Sequence, residues 1–377
     1  MKKILFISHD ASRTGAPMML LHFLRWLQEH QTEIQADLLV LKRGGLVTEF
    51  KKVTHNYYDY EALCQPQKLN IKQRILLKLG CFKRPDLKEN LFLDLSKNSY
   101  DVIYANTIIS VPFVCDLIAK MKYTKAIVHL HELNTIIKLL LPDFDKYATV
   151  INQYITPAQM VKQNLISNWG VPEHKVEVIY ECAQIQTLLE INSNKSKEFV
   201  IGASGTVNWR KGQDVFIQLA RYLCKFHPEI SFKFVWVGRI SREEKYIIEE
   251  DLEKLGLADT VSFIGEVENP AVHYSDFDVF VMTSREDPFP LVCIEVGMMG
   301  KPIVSFKKAV GTNEVLEKAG GFMVPYLDIE AMADKVIQYY KNPDLKKEHG
   351  AMNKTAFNQF TPELICPSLF SVIQKHF

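Results

Sequence analysis

Short apolar runs alternate with amphipathic stretches of helical period along the whole chain. Lys3 to Ser8 reads KILFIS, a near-continuous apolar run that predicts a strand buried on both faces. A polar loop follows, and over residues 16–29 the apolar positions recur at helical spacing. Further strands are predicted over residues 36–41, 102–105, 126–130 and 148–155. The second half restarts the pattern with a strand over 199–203, a helix over 212–225, and strands over 232–237, 261–264, 279–282 and 302–305. Strands alternating with helices predict βαβ units, parallel sheets and right-handed crossovers. No fixed short repeat runs through the chain, which argues against a solenoid.

A length of 377 residues fits two such domains. The boundary is predicted within VIYECAQIQ, residues 178–186, where a strand gives way to the polar segment 192–197. The expected domains are residues 1–182 and 183–359. In the tail, residues 360–377, Leu364, Ile365, Leu369, Phe370 and Ile373 fall at helical spacing, which predicts a helix packing back on the first domain.

Composition changes this picture little. The hydrophobic fraction of 47% and charged fraction of 24% are ordinary for a globular protein and exclude global disorder. Seven scattered cysteines with no C-x-x-C pair argue against a zinc site and fit a reducing cytosol, so a cytoplasmic location is expected. The apolar run at Ile4 is too short for a signal peptide and no run would span a bilayer, so membrane contact would be peripheral, on the inner face. The net charge of +1 hides one local bias: from Lys68 to Lys88 there are seven Lys or Arg, interleaved with Leu69, Ile71, Ile75, Leu76, Leu79 and Phe82. That stretch either docks on an anionic membrane or lies on the first domain with its charges in water.

Four constellations carry candidate chemistry, each after a predicted strand, where open parallel sheets bind ligands. Ser12-Arg13-Thr14-Gly15-Ala16-Pro17 opens the first helix, and helix-start amides beside Gly15 favour an anion. It lacks the G-x-G-x-x-G pattern of a dinucleotide fold. His131 ends the strand over 126–130, at the rim of an expected cleft. Gly205-Thr206-Val207-Asn208-Trp209-Arg210-Lys211-Gly212-Gln213-Asp214 brings two cations to a helix start, a combination suited to a diphosphate, though without the spacing of a nucleoside-triphosphatase loop. Last comes Ser284-Arg285-Glu286-Asp287-Pro288-Phe289-Pro290-Leu291-Val292-Cys293-Ile294-Glu295. Pro290 fits a first helical turn and leaves the amides of Leu291 and Val292 open, while the carboxylates of Asp287 and Glu295 can accept hydrogen bonds from sugar hydroxyls. The same pair could also be read as a glycosidase acid and nucleophile.

Together these pieces resemble the retaining glycosyltransferases of family 4, along nearly the whole chain and in the same order. Asp287 and Glu295, eight positions apart, look like that family's acidic motif, with aspartate in a place usually held by glutamate. The resemblance implies a GT-B fold: α/β, two facing Rossmann-like domains with parallel sheets and an interdomain cleft. It implies a nucleoside-diphosphate sugar as donor, a hydroxyl acceptor that could be lipid-linked, and no metal, other cofactor or nucleic acid. Glu295 would then bind the nucleotide's ribose. Asp287 and the amides of Phe289, Leu291 and Val292 would hold the sugar and diphosphate. Arg210 and Lys211 would neutralise the leaving diphosphate, Gly15 would approach it from the other domain, and His131 would face the transferred sugar. Where many members carry an arginine after the glycine matching Gly205, this chain has Thr206, and Arg210 is expected to supply the charge. Gly311 and Glu314 fall where the family has a glycine-rich turn and a glutamate near the sugar. A nucleotide-sugar hydrolase or epimerase, or a binding protein without catalysis, are the alternative readings.

Overall fold

The apolar runs become the strands of two parallel sheets. The computed structural model describes residues 1–65, 70–81, 83–185 and 198–377. The described residues divide into two compact units. The first comprises residues 1–156, 165–177 and 366–377, and the second residues 157–164 and 178–365.

In the first unit the strands are β1 (Lys2–Ser8), β2 (Ile34–Val40), β3 (Asn56–Asp59), β4 (Val102–Asn106), β5 (Lys125–His129), β6 (Gln153–Thr156) and β7 (Val176–Val178). They lie in the order β3-β2-β1-β4-β5-β6-β7. The second unit holds β8 (Phe199–Ser204), β9 (Phe232–Val237), β10 (Val261–Gly265), β11 (Val279–Met282), β12 (Ile303–Phe306) and β13 (Gly321–Val324), in the order β10-β9-β8-β11-β12-β13. In each sheet the chain winds outward from a first strand, then returns to that strand's other side. The reversal falls between β1 and β4, and between β8 and β11, and open parallel sheets bind ligands at the carboxyl ends of the strands beside such a point.

Six helices bear on the packing and the sites: α1 (Gly15–His30), α2 (Ile71–Lys78), α3 (Gln159–Trp169), α4 (Gln213–Phe226), α5 (Leu291–Met298) and α6 (Pro362–Gln374). Amphipathic α1 turns Met19, Leu20, Phe23, Leu24 and Leu27 into the core. Phe23 meets Phe6 of β1 edge-on with ring centroids 6.0 Å apart, and Phe6 lies 5.2 Å from Tyr104 of β4. Trp26 carries the stack outward to Phe370 of α6, 6.0 Å away, so the tail helix seals this unit's core. In the second unit Phe216 of α4 packs on Phe234 and Trp236 of β9.

Two expected strands come out differently. Of residues 148–155, Ala148 ends a short helix and the strand starts only at Gln153. Tyr154 and Ile155 supply the burial that makes it one, whereas Asn152 spends its side chain on the amide of Ala126 at 2.8 Å. At the expected boundary β7 stops at Val178, residues 179–185 form no regular element, and Gln186 and residues 192–197 lie outside the described residues. No helix among the described residues is long and apolar enough to cross a membrane.

Candidate functional site

In the second unit the two loops at the sheet reversal, after β8 and β11, are bonded to each other. Gly205 leaves β8 with φ +142, a conformation that disfavours any side chain, and a Cβ there would come within 3.0 Å of the Lys211 side chain. Its carbonyl accepts from Trp236 Nε1 at 2.8 Å. Gly212 stands before α4 in the left-handed region, where a Cβ would fall 2.1 Å from the Thr283 carbonyl oxygen. That close approach seats the start of α4 against the end of β11. Thr283 Oγ1 donates to the Lys211 carbonyl at 3.0 Å, and the Arg285 amide to the Arg210 carbonyl at 2.8 Å.

The pairing brings three charges together. Asp287, only 3% exposed, takes Lys211 Nζ on Oδ2 at 2.5 Å and Arg210 Nη1 on Oδ1 at 3.0 Å, and Ser284 Oγ adds a bond to Oδ2 at 3.0 Å. Burial pushes the Asp287 carboxyl up, but Lys211 and Arg210 outweigh it and hold the group below the usual carboxylate range. Burial, and the neighbouring Arg210, bring Lys211 below its ordinary value although Asp287 pulls the other way. The three-way contact keeps the carboxylate ionised at neutral pH, because two cations share one anion and a net charge of +1 remains. Arg210 Nη1 also donates to the Glu286 carbonyl at 2.9 Å, while its Nε and Nη2 make no hydrogen bond among the described residues. Thr206 is half-buried and its hydroxyl likewise has no hydrogen bond among them.

Sequence reasoning has Asp214 in one motif and, in another, gives no role to Arg285. It grips Asp214, in the first turn of α4, through both terminal nitrogens at 2.9 and 2.7 Å, donates to the Trp209 carbonyl at 2.8 Å and lies over the Trp209 ring. It thereby ties the loop after β11 to the loop after β8 and to the start of α4. A charged residue two positions before Asp287 is its only trace in the sequence.

Beyond Asp287 the chain makes a one-residue bridge with Val310, then turns into α5 at Pro290, which serves as N-cap rather than as first helical residue. The first-turn amides of Leu291 and Val292 have no partner in the helix, as at any helix start. Phe289 is buried between Tyr180 and Phe360, so its ring anchors the turn. Gly311 lies against the Pro288 carbonyl, where a Cβ would sit 1.6 Å from the oxygen. Glu295, one turn into α5, is half-buried and has no hydrogen-bond or ion-pair partner among the described residues. Burial pushes its carboxyl up to about 7. Burial, and after it the charge of Glu295, raise Tyr274 well above the usual tyrosine range; its hydroxyl lies 2.7 Å from Ser204 Oγ at the end of β8. Glu314 accepts the amides of Gln159 and Met160, 3.1 and 3.0 Å away, and the Tyr180 hydroxyl at 3.3 Å, and so caps the start of α3.

Gly15 and His131 belong to the first unit. Gly15 opens α1 behind Thr14, whose side chain makes no capping bond, and a Cβ on Gly15 would meet nothing within 4 Å. His131 is half-buried; its Nε2 lies 3.1 Å from Asn106 Oδ1 and its ring 4.0 Å from that of His129. His129 is fully buried against the Tyr104 hydroxyl at 2.6 Å, and burial, with His131 beside it, pushes the ring well below the usual histidine range. The cluster lies at the ends of β4 and β5, where Glu132 Oε2 accepts the amides of Ile108 and His131 at 3.2 and 3.0 Å.

Residues 184–358 match the sequence family described as Glycosyl transferases group 1. An uncharacterized glycosyltransferase of Haemophilus influenzae is 28% identical over 173 residues, which are 45% of this chain and 48% of the relative. A D-inositol 3-phosphate glycosyltransferase of Paenarthrobacter aurescens is 24% identical over 54% of this chain and 52% of its own length. The chain thus spans about half the length of the curated relatives it matches. Among solved structures, HepE of Anabaena in complex with UDP and glucose superposes with a TM-score of 0.78 at 19% identity, over 99% of this chain and all of that one. Sucrose-phosphate synthase of Thermosynechococcus elongatus gives 0.77 at 17% identity, over 100% and 99%. These likenesses establish the fold, GT-B with two Rossmann-like units.

Proposed function

We propose that this chain is a retaining glycosyltransferase of family 4 that moves a sugar from a nucleoside-diphosphate sugar to a hydroxyl acceptor in glycan or glycoconjugate synthesis. The observation that carries the reading is the Arg210–Lys211–Asp287 cluster, which leaves one positive charge in excess beside the open first turn of α5. An anion with two phosphates suits that arrangement: its oxygens can take the unused guanidinium nitrogens, Lys211 and the amides of Leu291 and Val292. The partly similar proteins support it, since several carry glycosyltransferase names and one solved relative is in complex with UDP and glucose.

In this reading the anomeric C–O bond to the diphosphate breaks, and the cations and amides stabilise the negative charge that develops on the leaving phosphate. The acceptor oxygen forms the new bond on the same face, and its proton passes to the departing phosphate. Glu295 binds the ribose, Thr206 and Gly205 line the phosphate side, and Gly15 and His131 serve the diphosphate and the transferred sugar. No metal takes part. The test begins with thermal-shift titrations of uridine, guanosine and adenosine diphosphate sugars, of which one should raise the melting temperature. Lys211→Ala should then lower turnover by at least about 100-fold, with chelator harmless. Near-native turnover in that variant removes the donor-site assignment; rapid donor breakdown without acceptor points to a hydrolase.

The same reading takes the enzyme to the cytoplasmic face of a membrane that carries its acceptor. None of the eight residues of α2 is buried. Ile71, Ile75 and Leu76, with Leu79 after the helix, are 77, 52, 42 and 68% exposed, and only Gln73 and Leu77 are partly covered. The apolar face thus points to solvent with Lys72, Arg74 and Lys78 beside it, as an anionic lipid surface requires. Lys68, Leu69 and Phe82 lie outside the described residues. All seven cysteines are free, in keeping with a reducing compartment. Flotation with phosphatidylglycerol vesicles at low salt should carry the protein upward, and Ile75→Asp should abolish this. Absence of binding by the native chain discards the membrane role.

A further inference from the structure

We infer that Arg285 is the positioning residue that holds Arg210 against Asp287. Three consecutive carbonyls of the loop after β8 are each met by a donor from the short segment 283–285. Arg285 Nη1 donates to the Trp209 carbonyl at 2.8 Å, the Arg285 amide to the Arg210 carbonyl at 2.8 Å, and Thr283 Oγ1 to the Lys211 carbonyl at 3.0 Å. Arg285 thus grips the peptide groups on both sides of Arg210, one with its side chain and one with its main chain. The two peptide planes that set the direction of the Arg210 side chain are thereby fixed.

The guanidinium is itself firmly seated. The Arg285 side chain is 13% exposed; its fork meets Asp214 at 2.9 and 2.7 Å, and Cζ lies 5.4 Å from the centre of the Trp209 ring. Asp214 stands in the first turn of α4, so the pair anchors the loop to a helix. The Asp214 side chain is 56% exposed, and an ion pair so open to water adds little to folding stability. What it adds is a fixed direction, since a planar fork holds its partners in one orientation. Asp287 is fixed separately: its amide donates to the Ala309 carbonyl at 2.7 Å and its carbonyl accepts from the Gly311 amide at 2.9 Å. A change at Arg285 therefore leaves the carboxylate in place and moves the cation.

For its effect on turnover the inference rests on the donor-site reading, in which Arg210 stabilises the leaving phosphate from a set position. Arg285→Met keeps the stem and loses every bond of the guanidinium. Arg285→Lys keeps a charge for Asp214 without the fork that also reaches Trp209. With nitrogen-15-labelled arginine, and Arg210→Lys to assign the signal, NMR should find rotation of the native Arg210 guanidinium hindered by its bonds to Asp287 and the Glu286 carbonyl. Arg285→Met should free that rotation and Arg285→Lys should free it in part. Turnover should fall roughly 10- to 100-fold in Arg285→Met with little change in donor KM, and less in Arg285→Lys. In an Arg210→Ala chain, adding Arg285→Met should cost less than about twofold more, because the group it positions is gone. A merely structural role would instead cause the same further loss there, and that result overturns the inference. So does an Arg210 guanidinium that turns freely in the native chain, or one as hindered in Arg285→Met as in the native chain. The NMR arm decides even if no transfer reaction is found, and Arg285→Lys carries it if Arg285→Met does not fold, so this inference and the enzymatic reading can fail separately.

Discussion

The two units wind their sheets in the same way and carry different chemistry at the carboxyl ends of their strands. In the second unit, between β8 and β11, the side chains are charged: two cations around one buried carboxylate. In the first, at the ends of β4 and β5 one strand away from the reversal, they are an amide, a phenol and two imidazoles, with burial pushing His129 well below the usual histidine range, and the one carboxylate among them, Glu132, bonds backbone amides. Fold alone therefore says little about what each site holds. Charge is costly to bury and is tolerated when paired, so the second unit keeps Asp287 as the resident partner for cations suited to an anionic ligand. Neutral groups suit hydroxyls, which both donate and accept.

The largest effect that tests this contrast is on Asp287. Asp287→Ala leaves Lys211 and Arg210 buried without their anion and should destabilise the second unit by about 3–5 kcal/mol, read from denaturant unfolding. A loss below about 1 kcal/mol would mean that water reaches the cluster and the contrast is lost. Next is Glu295, whose folded value of about 7 stands above the ordinary 4.5 of a glutamate. A raised carboxyl stabilises the fold fully below the unfolded value, and that contribution is lost as pH rises through 7. Glu295→Gln should therefore gain roughly 1–3 kcal/mol over the native chain at pH 8 and nothing at pH 4. A gap that does not change with pH refutes the assignment. The smallest effect belongs to the histidine cluster: Tyr104→Phe removes one hydrogen bond to His129 and should cost about 1 kcal/mol. A cost matching that of Asp287→Ala would abolish the distinction between the units.

Where a strand is buried on both faces, as in KILFIS of β1 or FKFVWV of β9, the apolar run is written into the chain and its limits are readable to within a residue or two. Polar or very short strands leave no such mark: Asn56–Asp59 pairs at the sheet edge and β7 is three residues long. The cluster of Arg210, Lys211 and Asp287 was legible as motif residues, because each loop carries its own glycine or proline signature. Their mutual contact was not, since 76 residues separate Lys211 from Asp287. Glu314 shows the same limit more sharply: it caps α3 through amides more than 150 positions away, and local spacing cannot foretell such a bond. Arg285 and Asn106 sit at ordinary positions, and only three-dimensional neighbours give them meaning.

The first unit is assembled from stretches that bracket the second along the chain, with residues 366–377 coming after all of it. On a ribosome the sheet β1–β7 would emerge early, yet its core stays open at Trp26 until Phe370 arrives. The later-made second unit can therefore be complete first, while the earlier sheet waits with an apolar flank uncovered. Nascent chains stalled before residue 366 should expose that flank to chaperones, and emergence of residues 366–377 would end the exposure.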